Sequence, residues 1–179
     1  MMPRRDPLAD PAPLIRRVYS YVAYRIGNGP DAEDVTSEVF ERALKYRDSF
    51  EESRGAPLPW LLGIARRCVN DALAHSHSRS AAGHDGLDTI SAEDIEEETL
   101  QRIMLGEAIA SLDERSRDLL ALRYGADLRA REIGQLVGLK TNAVEVALHR
   151  ALEKLRADLD GRGAERDLHL GEPASKTAS

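Results

Sequence analysis

A single cysteine, Cys68, stands in the 179-residue chain. That rules out an internal disulfide framework and a multi-cysteine zinc site, and it suits a reducing cytoplasm. Aromatic residues are scarce, at 4%. A β-sandwich draws on more aromatic and β-branched residues, so this Ala-, Leu- and Val-rich composition favours small helical bundles. No apolar run approaches the ~18 residues of a membrane span. The opening stretch, MMPRRDPLADPAPL, lacks the apolar centre of a signal peptide and reads as a loose leader over residues 1–11. Net positive charge is missing too. The formal charge is −6, which argues against tight DNA binding by the free protein. Neither a Gly-rich phosphate loop nor a nucleophile elbow occurs, so an enzyme with a small-molecule substrate is not expected. His75, His77 and His84 sit in a polar Ser/Gly-rich stretch with no fixed scaffold. A metal site needs ligands held at set geometry, so neither metal nor cofactor is expected.

What is present is helical periodicity in two blocks. Residues 12–80 form the first, interrupted by GNGPD and EESRGAPLP. Residues 81–99 carry Asp85, Asp88, Glu93, Asp94, Glu96, Glu97 and Glu98 with no Lys or Arg, the composition of a flexible acidic linker. Periodicity returns over 100–160. The tail, 161–179, shows no sustained apolar period and is expected to be disordered. The fold class is all-α, with two small helical domains.

The second block holds the clearest motif. Leu100–Ala110 is amphipathic, with Ile103, Met104 and Ala108 at helical spacing. In LDERSRDLLALRY, Asp113 suits an N-cap, and Leu119, Leu120 and Leu122 suit the core. Ala130–Val137 reads as a short helix closed by Gly138, a residue that tolerates the left-handed C-terminal conformation. A further helix begins near Thr141 or Asn142, and either side chain can cap it. Two helices joined by three or four residues make a helix-turn-helix. At about 100° per residue, Val144, Leu148, Ala151, Leu152 and Leu155 share the inner face. Asn142, Val146, His149, Arg150 and Glu153 share the outer one. In a helix-turn-helix that outer face enters the major groove, where Asn142 suits adenine and Arg150 a phosphate or guanine. The same pattern also suits the exposed face of an ordinary bundle helix.

In the first block, the helix 31–45 turns Val35, Val39, Phe40 and Ala43 inward. Asp34, Ser37, Glu38, Glu41 and Lys45 line its other side. An acidic stripe is most often simple solvation, and it also suits a basic partner. In the helix 60–78, Leu61, Ala65, Cys68, Val69 and Ala72 point inward, and Gly63, Arg67, Asn70 and Ala74 outward. Arg66 lies at the boundary. An Arg/Asn face suits phosphate or base contacts. The intervening loop carries Tyr46, Phe50 and Arg54 and leads to Trp60. Loop aromatics can stack single-stranded bases, although Phe50 and Trp60 suit core packing at least as well.

Together these stretches resemble a known family. DAEDVTSEVFERAL and WLLGIARRCVNDAL resemble region 2 of bacterial RNA polymerase sigma factors, and residues 112–156 resemble region 4. The order, the short linker and the lack of other regions are similar to the extracytoplasmic-function (ECF) group of the sigma-70 family. The resemblance implies a cytoplasmic transcription initiation factor that binds core RNA polymerase and promoter DNA. Core polymerase would contact Asp34, Ser37, Glu38, Glu41 and Lys45. The −10 element would be melted and held by Tyr46, Phe50, Arg54, Trp60, Arg66, Arg67 and Asn70. The −35 duplex would be read by Arg131, Lys140, Thr141, Asn142, Val146, His149 and Arg150. An anti-sigma protein is a further expected partner, and a membrane is not. Glu145 and Ala147 stand where many members carry Lys or Arg. The alternative is a free-standing helix-turn-helix regulator that binds DNA without polymerase, but no heptad seam for a dimer runs beyond Leu159.

Overall fold

The computed structural model describes residues 6–81 and 97–170, apart from the side chains of Arg54, 77–81, 97–100, Arg102 and 162–170. The chain orders seven α-helices there: α1 (Pro11–Ile26), α2 (Pro30–Lys45), α3 (Pro57–Ala81), α4 (Glu97–Ala110), α5 (Glu114–Leu120), α6 (Ala130–Val137) and α7 (Thr141–Leu170). Two 3₁₀ turns, Arg47–Ser49 and Glu52–Arg54, link α2 to α3. A π-helical turn, Ala121–Gly125, extends α5. Most of the acidic stretch (82–96) and the last residues (171–179) lie outside the described residues.

Local sequence explains most boundaries. Pro11, Pro30 and Pro57 open α1, α2 and α3 at the first helical position, where the missing N–H costs no bond. The Asp113 side chain accepts a hydrogen bond from the Ser116 N–H at 2.9 Å, capping α5 as expected. Those bonds hold its carboxyl below the usual range. Several expectations shift. Helix α3 starts at Pro57, three residues before Trp60, because both prolines fit its first turn. Helix α7 begins at Thr141, so Thr141 and Asn142 lie inside its first turn and Lys140 precedes it. It also runs to Leu170, past the expected end near residue 160. The stretch 161–170 therefore continues a helix already nucleated and needs no apolar face of its own. Ile103 is exposed, while Ala108 from the same helix is buried.

The first three helices pack on one another, with Val18, Tyr21 and Val22 of α1 meeting Val35, Val39 and Ala43 of α2 and Leu61, Leu62, Ala65 and Val69 of α3. In the second block α7 packs on α4, α5 and α6. Leu119, Leu122, Leu128, Ile133 and Val144 are all nearly or fully buried there. Each such side chain contributes about 1.5–3 kcal/mol through burial. The two blocks are not separate beads. Helix α1 lies against the π-turn, and the buried residues of both blocks form one continuous cluster.

Candidate polymerase and nucleic-acid interfaces

The helix-turn-helix is built around two glycines. Gly138 ends α6 at φ 73°, ψ 33° and lets the chain reverse. Gly134, buried inside α6, receives the Leu139 N–H on its carbonyl at 2.9 Å. A Cβ on Gly134 would lie 2.6 Å from the Leu139 oxygen. The turn is thus folded directly onto the helix surface. At the other end, the Glu132 carboxylate accepts from the Arg129 N–H at 2.8 Å and fastens the start of α6.

This turn sets the roll of α7. Val144, Leu148 and Ala151 are buried, and Leu152 and Leu155 pack against them. Lys140, Thr141, Asn142, Val146, His149 and Arg150 are exposed together, as is Arg131 on α6. Val146 is 41% exposed among them. His149 Nε2 lies 3.3 Å from Glu153, a pair that is ionic only when the imidazole is protonated. Arg150 has no ion pair among the described residues.

On α2, Asp34, Ser37, Glu41 and Lys45 are exposed, and Glu38 is half-buried. Glu38 takes a hydrogen bond from Arg42 Nη2 at 2.6 Å, and Arg42 also lies 3.4 Å from Asp71 of α3. Arg42 therefore interrupts the acidic stripe and ties it to α3. Leu44 is 57% exposed beside it. Neither residue stood out in the sequence, since a helical wheel shows which face a residue takes but not which neighbouring helix it reaches.

The loop after α2 and the start of α3 enclose an open cleft of about 790 Å³. Its walls include Lys45, Tyr46, Trp60, Gly63 and Arg67, and Leu136 of α6 closes one side. Tyr46 is exposed and Trp60 half-buried. Phe50 is buried and meets Trp60 edge-on, ring centres 5.6 Å apart. Phe50 thus packs edge-to-face on Trp60, an arrangement that favours aromatic pairs. Arg67 and Asn70 are exposed. Arg66 is not open in the same way: its Nε donates to Asp118 of α5 at 2.9 Å. Tyr21 donates to the other oxygen of that carboxylate at 2.7 Å. Burial, and then Asp118, push the Tyr21 hydroxyl well above the ordinary phenol range, so it stays a donor. The Arg54 side chain lies outside the described residues. His75 Nδ1 is 2.7 Å from the Asp71 carbonyl oxygen, while the His77 side chain and all of His84 also lie outside. Among the described residues no helix is long and apolar enough to cross a membrane.

Comparison with known proteins supplies the family. Residues 13–79 match the family model for sigma-70 region 2, and residues 102–155 match that for sigma-70 region 4. The chain is 31% identical over 143 residues to the RNA polymerase sigma factor CarQ of Myxococcus xanthus, covering 78% of this chain and 81% of CarQ. It is 32% identical over 143 residues to the ECF RNA polymerase sigma factor BldN of Streptomyces coelicolor, covering 77% of this chain but only 54% of BldN. Its fold is similar to that of the sigma factor RpoE from Bartonella quintana, solved with the anti-sigma factor NepR, at a TM-score of 0.62 and 17% identity over 82% of this chain and 92% of that one. With both regions matched in order on an all-α chain, the protein belongs to the sigma-70 family of RNA polymerase sigma factors, ECF type.

Proposed function

We propose that this sigma factor binds core RNA polymerase through α2 and brings it to promoters with two DNA-reading surfaces. The α2 face, Asp34, Ser37, Glu38, Glu41 and Lys45, docks on a basic surface of the polymerase. Exposed carboxylates steer and orient such an encounter more than they tighten it. The α3 cleft receives the −10 element as single strand. Tyr46 and Trp60 offer aromatic surface to an unstacked base, and Arg67 and Asn70 meet the backbone and base edges. Arg54 belongs to the same set. Extracting a base costs a few kcal/mol, which stacking in a shaped pocket offsets.

The α7 face reads the −35 element as duplex. Asn142 lies at the start of the helix, nearest the base edges, with Val146 one turn on, suited to a thymine methyl. Lys140, Thr141, Arg131, His149 and Arg150 lie around them as phosphate contacts. The weak positive charge of this helix fits a reader that is delivered rather than free. Attachment through α2 raises the effective concentration of α7 at the DNA, so little affinity of its own is needed. An anti-sigma protein is proposed as a further partner, supported by the likeness in fold to a sigma factor solved with one. The protein would act in the cytoplasm, with nucleotide transfer left to the polymerase.

The observation that carries this reading is the exposed polar face of α7, set by the Gly134–Leu139 turn and oriented away from the core. Run-off transcription with core polymerase on genomic DNA tests it. Discrete start sites that appear only with this protein are expected, and an unchanged transcript map would overturn the reading.

A further inference from the structure

The loop 46–56, which carries Tyr46 at the proposed −10 cleft, has little to hold it. Among its described side chains Phe50 alone is buried. Phe50 also stands apart from the continuous core, and its edge-on partner is Trp60. Beside it lie the residues ahead of α1. Asp6 and Pro7, together with Phe50 and Glu52, line two cavities of about 460 and 380 Å³. Pro13 and Leu14 of α1 and Pro57 of α3 border the second. The one anchor of the loop therefore sits between Trp60 and residues 6–10.

Residues 6–10 are built as a turn. The Leu8 N–H donates to Asp6 Oδ1 at 3.0 Å, and the Ala9 N–H donates to the Asp6 carbonyl at 3.2 Å. An aspartate that binds the backbone two residues on makes such a turn from its own side chain. Pro7 has its φ fixed by the ring, which narrows what the turn can sample. Leu8 is half-buried and packs against the core, so the turn is tied to the first module. A loop with one buried side chain opens at low cost. What surrounds that side chain then decides how often the loop is in place.

We infer that the turn 6–10 positions the −10 cleft: Asp6, Pro7 and Leu8 hold Phe50 in place, and Phe50 fixes the Trp60 ring that meets an unstacked base. This rests on the promoter reading given above and adds positioning residues that touch no DNA themselves. With the turn loosened, Phe50 leaves its place and Trp60 loses its edge contact. The cleft must then order itself as it takes the strand, and that ordering is subtracted from the binding energy. The size of the effect follows from the fraction of molecules already in the receptive form. If that fraction falls to about one fifth, capture of the strand weakens about fivefold.

Two variants of the full chain test this. Leu8→Ala unties the turn from the core, and Asp6→Ala removes its side-chain acceptor. Trp60 is the only tryptophan in the chain, so its fluorescence reports on the cleft directly. Acrylamide should quench Trp60 more strongly in both variants than in the parent. On a promoter found by run-off transcription, the holoenzyme should then open the −10 element about fivefold less, read by permanganate reactivity of its thymines. Binding of −35 duplex by the same holoenzyme should stay at the parent level. Leu8→Met and Asp6→Asn, which keep the apolar contact and the acceptor, should restore both quenching and opening. Asp6→Ala deletes one exposed hydrogen bond, so the test survives a folding failure of Leu8→Ala. Parent-like quenching in both variants would overturn the hold on Phe50. Stronger quenching with parent-like opening, or an equal loss of −35 binding, would overturn the positioning role. A parent holoenzyme that opens no promoter would sink the promoter reading, while the quenching would still judge the turn.

Discussion

Gly134→Ala gives the sharpest test of how the helix-turn-helix is held. In an ordinary helix interior this change stabilises, because glycine loses more backbone freedom on folding, by about 0.5–1 kcal/mol. Here the new methyl would sit 2.6 Å from the Leu139 carbonyl oxygen and 3.6 Å from the Thr141 nitrogen. Those atoms belong to the backbone of the turn and cannot rotate away as a side chain would. Overpacking of this kind costs about 1–3 kcal/mol. The net expectation is destabilisation by up to about 2.5 kcal/mol after the propensity gain is subtracted. For a chain of this size that lowers the melting temperature by about 2–4 °C per kcal/mol. Thermal and urea unfolding followed by circular dichroism measure it. Because the Leu139 N–H bond to Gly134 also sets the start of α7, affinity for −35 duplex in the polymerase complex should fall further than stability alone explains. A melting temperature equal to or above that of the parent would show that the turn does not press on α6, and the account of the motif would be wrong.

Other expectations follow from single contacts. Asp113→Ala removes the α5 cap and should cost about 1 kcal/mol in urea titration. Its carboxyl is held low by the Ser116 bonds, so the cap's contribution is present above the ordinary carboxylate range and lost as pH falls through the lowered value. The difference between Asp113→Ala and parent should therefore shrink in acid, and a constant difference would contradict the assignment. Arg150→Ala should weaken −35 duplex binding in the holoenzyme and lower its salt slope by about 1, since one phosphate contact is lost. Glu38→Lys reverses a charge on the proposed docking face and breaks the bond to Arg42, so core polymerase affinity should fall. An unchanged affinity would mean that α2 docks by another face.

Much of this was legible in the chain. The 3.6-residue period located the inner faces of α2, α3 and α7, because burial of Val39, Val69 and Val144 depends on local repetition. Asp113 and Gly138 announced their caps by residue type alone. The roles of Phe50 and Arg66 were not legible. Phe50 is buried against Trp60, and a loop aromatic carries no sequence mark that separates packing from stacking. Arg66 sits at the boundary of its wheel, and its partner Asp118 is 52 residues away on another module. Gly134 was silent for the same reason: what surrounds a missing Cβ is decided by tertiary approach. The π-turn that carries Gly125 reads in sequence as a plain continuation of α5.

The central claim is that α7 reads DNA only when polymerase delivers it. Binding of a cognate promoter fragment, measured by gel shift at one fixed salt concentration with and without core polymerase, tests this most directly. A stable, promoter-specific complex is expected only when polymerase is present, and Glu38→Lys should weaken it without touching α7. Tight, salt-sensitive, sequence-specific binding by the protein alone would contradict the account and favour a free-standing regulator.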